Sequence, residues 1–402
     1  MNVVGIIAEY NPFHQGHALH LREARAQAGA DYTVVVMSGN YVQRGTPAMF
    51  DKYTRAEAAL RCGADLVLEL PITSATASAE YFAMGAVWLL ERTGFVTDLC
   101  FGSECGSLSD LHRTAEVLAH EPEEYRILLR SSLSEGNSFP KARALALAGL
   151  NPSIHTVLLE SPNNLLGIEY LKALIRLHSD IRPHTIARLG KDYHELTLEA
   201  GQPASAGALR SALLASGGHF TEEIRPQLPY PKPFLSYEGK TPLTEDAFSL
   251  LLLQKLRSIQ DTPLDSYFDV SRELSNRIWE KLDCFSSFSQ FTDLLKTKNL
   301  TRTAVSRALL HVLLNIREWH EPEAFRVLGF RKNAEPLVGL LKEKGALPLI
   351  CAPSDTELSP DTLYADHLYE SVRSLLHGTP FHNEYRRKLL VIPSSEREEG
   401  LL

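Results

Sequence analysis

The chain has 402 residues, with 41 lysines and arginines against 49 aspartates and glutamates, so its formal net charge at pH 7 is −8. A chain of this length can bury a large core and is expected to form two domains. Because the net charge is negative, general electrostatic binding to nucleic acid or to an anionic membrane is not expected. Such a partner would need a local basic patch.

The sequence predicts a cytoplasmic protein with no membrane partner. It runs from Met1 straight into the strand-like VVGII without a basic segment, and no apolar run approaches the roughly 18 residues of a membrane span. The cysteines lack the paired short spacing of a zinc site or a disulfide framework, so we expect them to be reduced. They are Cys62, Cys100, Cys105, Cys284 and Cys351.

In the first half of the chain, short apolar runs alternate with segments of helical periodicity. The predicted strands are VVGIIA (3–8), YTVVVM (32–37), DLVLEL (65–70), DLCFG (98–102) and HTIAR (184–188). The predicted helices cover residues 17–28, 52–62, 78–92, 163–177 and 205–215, and the first three are stopped by glycine. This alternation predicts an α/β fold, with a parallel sheet between two layers of helices.

The second half has a different pattern. The proline-rich stretch RPQLPYPKP (225–233) marks a boundary, and the segments beyond it, such as RTAVSRALLHVLLNI, have helical periodicity. We therefore predict a first domain at residues 1–228 and a mainly α-helical domain at residues 229–402.

The stretch GIIAEYNPFHQGH (5–17) joins the first predicted strand to the first helix. In an open parallel sheet this turn lies at the ligand-binding edge, where unpaired helix N–H groups and the helix dipole favour phosphate. His14 and His17 are three residues apart and project to one side of the helix, while Gly16 permits close approach of a ligand to the backbone. Asn11-Pro12-Phe13 predicts a fixed loop before them.

Two imidazoles with backbone amides suit attack on the α-phosphorus of a nucleoside triphosphate with pyrophosphate leaving. Donors fixed in advance stabilise the charge that develops on the phosphate oxygens. The spacing alone is equally compatible with a metal half-site or two exposed helix residues. A P-loop, GxxxxGK[ST], does not occur in this segment.

NPFHQGH resembles the HxGH signature of the nucleotidylyltransferase superfamily. The longer series GIIAEYNPFHQGH, MSGNYVQRGTPAMFDKYTRAEAAL, GADLVLELP, FGSE, SPNNLLGIEYLKAL and IARLGKDYH occurs in order as in the bacterial tRNA-Met cytidine acetate ligases. The resemblance continues with LSNRIWEKL, LKTKNLTRTAVSRALLHVLLNI and FRVLGF. It implies a Rossmann-like HxGH nucleotidylyltransferase domain followed by the mainly helical one.

The resemblance also implies a two-step reaction. ATP activates acetate as acetyl-adenylate, and the acetyl group then passes to N4 of the wobble cytidine of elongator tRNA-Met. ATP is a substrate, and Mg²⁺ is expected to be held through the phosphates and water, because no dedicated carboxylate cage is visible.

Carried over residue by residue, the resemblance assigns the catalytic role to His14 and His17. The resemblance also assigns Gly102, Asn163 and Arg188 to the ATP site. Taken alone, Gly102 could instead be a turn, Asn163 a helix cap and Arg188 a surface charge. The implied ATP-binding residues are Ile7, Ala8, Glu9, Tyr10, Asn11, Pro12, Phe13, His14, Gln15, Gly16, His17, Ala18, Leu19, His20, Gly102, Asn163 and Arg188.

The segment after the second strand, SGNYVQRGTPAMFDKYTRAE, is expected to be a loop over the site. Gln43, Arg44 and Lys52 could then contact acetate, pyrophosphate or RNA. The alternative is an exposed turn at Arg44, followed by a solvated helix face that carries Lys52 and Arg55. Thr46 stands where these ligases usually carry an acidic residue.

PASAGALRSAL (203–213) resembles the superfamily's phosphate-binding helix start. Gly207 replaces the hydroxyl expected there, so an N-cap at Ser205 and an exposed Arg210 are equally compatible.

The tRNA is predicted to contact a local basic window. Residues 296–332 contain eight basic residues against three acidic ones, and Arg386-Arg387-Lys388 adds a later cluster. Lys298, Arg302 and Arg307 are near helical spacing and are the candidate tRNA-binding residues, although a charged helix face is often only solvated.

Two other functions stay open at this point. One is an adenylyltransferase that acts on a phosphorylated small molecule, and the other is a nucleotide-binding RNA-interaction protein without turnover.

Overall fold

The computed structural model of the chain describes residues 1–151, 154, 156–188, 204–260, 262–352 and 358–393. The end of IARLGKDYH, from residue 189, and Pro203 of PASAGALRSAL lie outside the described residues. The strands are β1 (Val3–Ala8), β2 (Tyr32–Ser38), β3 (Tyr41–Val42), β4 (Thr46–Pro47), β5 (Leu66–Leu70), β6 (Asp98–Ser103), β7 (Arg182–Ala187), β8 (Phe325–Arg331), β9 (Leu349–Ile350) and β10 (Leu390–Ile392).

The five predicted strands form a parallel sheet in the order β5-β2-β1-β6-β7. The α/β fold class is therefore confirmed. Chain order reverses at β1, which lies between β2 and β6, so the loops after β1 and β6 flank the crevice where open α/β sheets bind ligands.

Side chains alternate between the two faces of this sheet, as the period of a strand requires. Val34 and Val36 of β2 enter one apolar cluster, and Val35 and Met37 enter the cluster on the opposite face. Both faces of the sheet are buried, which explains why the strand sequences are continuous apolar runs.

The helices lie close to their predicted bounds. Gly29, Gly63 and Gly94 have positive φ angles of 54°, 118° and 70° just beyond the first, second and fourth helices. The helices are α1 (Gln15–Gln27), α2 (Lys52–Arg61), α3 (Ile72–Ala75), α4 (Ala79–Arg92), α5 (Leu108–His120), α6 (Glu123–Ser134), α7 (Phe139–Leu150), α8 (Pro162–Arg176), α9 (Ala206–Ala215), α10 (Ser249–Ser258), α11 (Arg272–Lys281), α12 (Phe288–Leu295), α13 (Arg302–Leu314), α14 (Glu335–Lys344) and α15 (Pro360–His377).

The second half of the chain is mainly helical but also extends the sheet. A third apolar cluster is built chiefly from α10 to α13 and α15. Strand β8 pairs antiparallel with β5, and β9 and β10 pair parallel with β8. Phe234 also packs edge to face on Phe50, with ring centroids 4.9 Å apart. The boundary at residue 228 stays a prediction, and segments beyond it complete the first core.

None of the helices in the described ranges is long and apolar enough to cross a membrane. The five cysteines are free thiols.

Candidate nucleotide-binding site

His14 and His17 form a reciprocal cap at the start of α1. His14 is the N-cap residue, and its Nδ1 accepts a 3.1 Å hydrogen bond from the backbone N–H of Gly16. The Nδ1 of His17 accepts a 3.3 Å bond from the backbone N–H of His14. Because each Nδ1 is an acceptor, each neutral ring carries its proton on Nε2. The ring centroids are 3.7 Å apart, so two Nε2–H donors stand side by side.

The histidines are neutral at physiological pH. Burial, together with the charges of Arg188 and Arg210, lowers the pKa of His14 to about 3. Burial also lowers the pKa of His17 well below its ordinary value, with His14 adding to the effect. The pKa of His20 is lowered to about 4, again mainly by burial.

The loop before α1 is fixed by its neighbours. The ring of Tyr10 packs edge to face on Phe13 and on His17, each at a centroid distance of 4.8 Å. The side-chain oxygen of Asn11 accepts a 2.9 Å hydrogen bond from the backbone N–H of Met49. Asn11-Pro12-Phe13 therefore forms the fixed support that the sequence predicts.

Gly102, Asn163 and Arg188 lie together at the ends of β6, α8 and β7. A Cβ atom at Gly102 would come 3.3 Å from Cγ of Arg188, so glycine leaves room for the arginine stem. Nη1 of Arg188 donates a 3.4 Å bond to Oδ1 of Asn163. Arg188 also lowers the pKa of His14, which places these residues beside the histidine pair.

Glu104 is a site neighbour that sequence reasoning missed. Its carboxylate accepts the backbone N–H of Asn163 at 3.2 Å, the side-chain amide of Asn163 at 2.6 Å and the backbone N–H of Asn164 at 2.7 Å. It thus caps α8 from another element, while Ser161, the N-cap residue, makes no side-chain cap bond. Only its position in FGSE, directly after a strand, could have indicated this role.

Helix α9 brings Arg210 to the histidine loop. Ser205 is the N-cap, and its Oγ accepts a 3.1 Å bond from the N–H of Ala208. Arg210 is half-buried, and its Nη1 donates a 2.7 Å bond to the carbonyl of Asn11. The N-cap interpretation of Ser205 is therefore correct, and the exposed-arginine alternative is wrong.

The segment after β2 forms a hairpin, β3 with β4, at the site edge. The N–H of Gln43 donates to Oε1 of Glu9 at 2.9 Å. Arg44 is exposed at the tip. Burial lowers the pKa of Arg210, and the charge of Arg44 adds to the effect. Thr46 is half-buried in β4. The hairpin therefore lies beside Glu9 at the end of β1, and its role as a loop over the site stays a prediction.

The tip of the hairpin packs against α13. Gly45 has a φ of 74°, and a Cβ atom there would come 2.4 Å from the backbone nitrogen of Arg307. The carbonyl of Gly45 accepts a 2.9 Å hydrogen bond from Oγ of Ser306. The candidate tRNA-binding helix therefore touches the loop over the site.

Lys52 lies in a buried ion cluster, so both sequence interpretations of it are wrong. Its ammonium is 2.9 Å from Glu69 Oε1, 2.5 Å from Asp366 Oδ2 and 3.3 Å from Glu384 Oε1. Arg326 is the second cation, 2.9 Å from Glu69 Oε2. These residues are buried, so Lys52 neither reaches a ligand nor lines a solvated face.

Arg55 is fully buried as well, which contradicts the solvated-face alternative. Its guanidinium donates to the carbonyls of Phe50 at 2.9 Å, Ser38 at 3.1 Å and Glu9 at 2.5 Å, and also to the carbonyl of Gly39. It therefore ties the ends of β1 and β2 together beneath the site.

The candidate tRNA-binding residues lie on α13 and just before it. Lys298 is exposed. Arg302 is 3.2 Å from Glu245 and 3.5 Å from Asp293. Arg307 pairs with Asp269 at 3.1 Å. Carboxylates thus offset much of this charge, and the assignment stays a prediction.

The described residues contain no group of three or more His, Cys, Asp or Glu side chains placed to hold a metal ion. A metal half-site at His14 and His17 therefore finds no third ligand of those types within the described ranges.

Comparison with known proteins defines the class. A family model described as HIGH Nucleotidyl Transferase matches residues 1–387. The sheet, the crevice and the histidine pair belong to that class.

The relatives are more specific. The chain is 40% identical over 385 residues to tRNA(Met) cytidine acetate ligase of Thermoanaerobacter sp. (strain X514), covering 92% of this chain and 95% of that protein. It is 37% identical over 417 residues to the protein of the same name from Halothermothrix orenii, covering 97% and 99%. A crystal structure of Thermotoga maritima TmcAL bound with alpha-thio ATP superposes with a TM-score of 0.88 at 30% identity, covering 98% of this chain and 100% of that chain. The chain belongs to the tRNA(Met) cytidine acetate ligase family.

Proposed function

We propose that this chain is an ATP-dependent ligase that activates acetate as acetyl-adenylate and acetylates N4 of the wobble cytidine of elongator tRNA-Met. The observation that carries the proposal is the pair of Nε2–H donors locked side by side at the crevice of the sheet. The names of the relatives support the tRNA and acetate substrates.

In the first step, a carboxylate oxygen of acetate bonds to the α-phosphorus, and the bond from that phosphorus to the bridging oxygen breaks as pyrophosphate leaves. Negative charge develops on oxygens that face the two imidazole donors. Neutral rings suit this role, because each Nε2–H group donates a hydrogen bond to a phosphate oxygen without transferring its proton. Arg188 and Arg210 add positive charge beside them.

ATP is proposed to lie along residues 7–20 and to reach Gly102, Asn163 and Arg188. The ATP analogue in the Thermotoga maritima structure supports a nucleotide substrate. Mg²⁺ would accompany the triphosphate through its phosphates and water, since the described residues offer no carboxylate cage.

In the second step, the N4 amine of cytidine bonds to the acetyl carbon, the carbon–oxygen bond to AMP breaks, and the amine loses a proton. The base must leave its stack to reach the adenylate, as enzymes that act on bases require. Lys298, Arg302 and Arg307 are proposed to hold the tRNA on α13, next to the hairpin tip. An enzyme with this substrate would work in the cytoplasm, as the sequence predicts.

Incubation of unmodified elongator tRNA-Met with ATP and labelled acetate tests the proposal. The expected result is one labelled acetyl group on the wobble cytidine, detected by mass spectrometry of nuclease fragments. Exchange of labelled pyrophosphate into ATP should depend on acetate. Exchange that depends on a phosphorylated small molecule would support the adenylyltransferase, and nucleotide binding without exchange would support the protein without turnover.

A further inference from the structure

The segment FHNEYRRK (381–388), which leads into β10, carries aromatic and basic side chains on the surface. Phe381 is 43% exposed and Tyr385 is 37% exposed. Arg386 and Lys388 are exposed as well. Exposed aromatic rings interleaved with cations are the surface that single-stranded nucleic acid binds, because bases stack on the rings and phosphates meet the cations.

The backbone of the 381–388 segment is firmly held. Glu384 is buried and accepts hydrogen bonds from Tyr53 and Arg326. The guanidinium of Arg387 lies over the ring of Tyr53, 4.9 Å from its centroid. The side-chain oxygen of Asn383 accepts the N–H of Tyr385 at 2.9 Å. The outward side chains therefore stand on a fixed support, which reduces the ordering cost of binding.

The exposed cations of the segment are not neutralised by acids within the described residues. Arg386 and Lys388 form no ion pair there, whereas Arg302 and Arg307 of α13 both do. The acid nearest in sequence, Glu384, is buried and engaged by other cations. This surface therefore carries the stronger attraction for phosphate.

The segment also lies at the same edge of the sheet as the nucleotide site. Glu384 accepts a hydrogen bond from Arg326, the second residue of β8, and the start of β8 borders the carboxyl end of β5. The order β10-β8-β5-β2-β1 sets the segment four strand spacings, about 19 Å, from β1. About six stacked nucleotides, at roughly 3.4 Å each, span that distance.

We infer that the 381–388 segment docks the tRNA a few nucleotides from the acetylated base, with Arg386 and Lys388 on phosphates and Tyr385 and Phe381 stacked on unpaired bases. The inference rests on the proposed function for the identity of the RNA. It assigns the tRNA a second contact surface, separate from α13.

The test measures binding of unmodified elongator tRNA-Met to the full chain over a range of salt concentrations. The double variant Arg386→Ala/Lys388→Ala should reduce the slope of log K against log salt by about 1.4 to 1.8, because each phosphate contact contributes about 0.7 to 0.9. The matched control, Arg130→Ala/Lys342→Ala, removes one exposed arginine from α6 and one exposed lysine from α14, both outside the basic window, and should leave the slope unchanged.

Stacking is tested separately with Tyr385. Tyr385→Ala should weaken tRNA binding about 5- to 150-fold, the range for loss of one base–aromatic stack, and Tyr385→Phe should restore it. Acetate-dependent exchange measured without tRNA should stay at the wild-type level in every variant, which shows that the adenylation site is intact.

An unchanged slope in the Arg386→Ala/Lys388→Ala variant, or an equal loss in the control, would overturn the inference. If the Arg386→Ala/Lys388→Ala variant loses binding to phosphatidylserine vesicles while its tRNA affinity is unchanged, the inference is also overturned. The surface would then be assigned to membrane binding. Failure of the proposed function is distinguishable, because a wild-type chain without acetate-dependent exchange could still show the altered tRNA slope.

Discussion

Nη1 of Arg210 donates a 2.7 Å hydrogen bond to the carbonyl oxygen of Asn11, 199 positions away along the chain. The bond fixes α9 against the loop that ends at His14. It also holds a guanidinium beside the imidazole pair, where ATP is proposed to bind. Arg210 is therefore more than a surface charge of α9.

Replacing Arg210 by alanine should lower kcat/KM for acetate-dependent exchange by roughly 10- to 100-fold, because hydrogen bonds to charged groups contribute about 1.5 to 3 kcal/mol. Initial rates of exchange over a range of ATP concentrations measure this. Arg130→Ala, which removes an exposed arginine from α6, is the matched control and should have no effect. Equal rates for the two variants would contradict a role of Arg210 at the phosphates.

The buried ion cluster predicts a large stability effect for Lys52→Met. The change leaves Glu69, Asp366 and Glu384 with Arg326 as their one remaining cation in the cluster. Breaking a buried pair by removing one partner costs about 3 to 5 kcal/mol, because it leaves an uncompensated buried charge. Urea unfolding measures the loss.

Lys332→Met changes an exposed lysine and is the control for Lys52→Met. It should alter the free energy of unfolding by no more than about 0.5 kcal/mol. A loss below about 1 kcal/mol for Lys52→Met would show that the cluster does not stabilise the join between β5, β8 and α15.

The parts of the fold that local patterns determine could be predicted from the sequence. The five parallel strands are short apolar runs, and glycines end the first helices where a left-handed residue is needed. The position of His14 and His17 after the first strand placed them at the crevice. Their reciprocal capping bonds could not be predicted, since any side chain near a helix start has several partners in reach.

The missed features depend on contacts between distant parts of the chain. Strand β8 pairs with β5 although some 260 residues separate them, so FRVLGF gave no indication of its partner. In the sequence, Lys52 and Arg55 fit a polar helix face. The sequence gives no sign of their burial, because the groups that they contact come from other elements. The same holds for Glu104, which caps a helix 59 residues away.

Acidification should destabilise the chain in part through His14. Its pKa falls from 6.5 to about 3 on folding, so between those values the unfolded chain binds a proton that the folded chain does not. Above pH 6.5 neither state binds this proton. The loss of stability therefore begins near pH 6.5 and grows as the pH falls toward 3. The wild-type free energy of unfolding should therefore fall by about 2 kcal/mol more than that of His14→Asn between pH 7 and pH 5.

Urea unfolding at the two pH values measures this difference. The cluster of Lys52 is common to both proteins, so its titration cancels in the comparison. Parallel pH dependence of the two proteins would show that His14 is not held neutral by burial.

Acetate-dependent exchange of labelled pyrophosphate into ATP by His17→Ala tests the role of the histidine pair directly. Losing one donor at the developing phosphate charge should lower the exchange rate by about 100- to 1000-fold while affinity for tRNA stays near that of the wild type. His17→Gln, which can place an amide N–H near the position of Nε2, should recover part of the rate. Wild-type exchange in His17→Ala, or loss of exchange and tRNA binding together, would contradict the role of His17 as a donor to the phosphate.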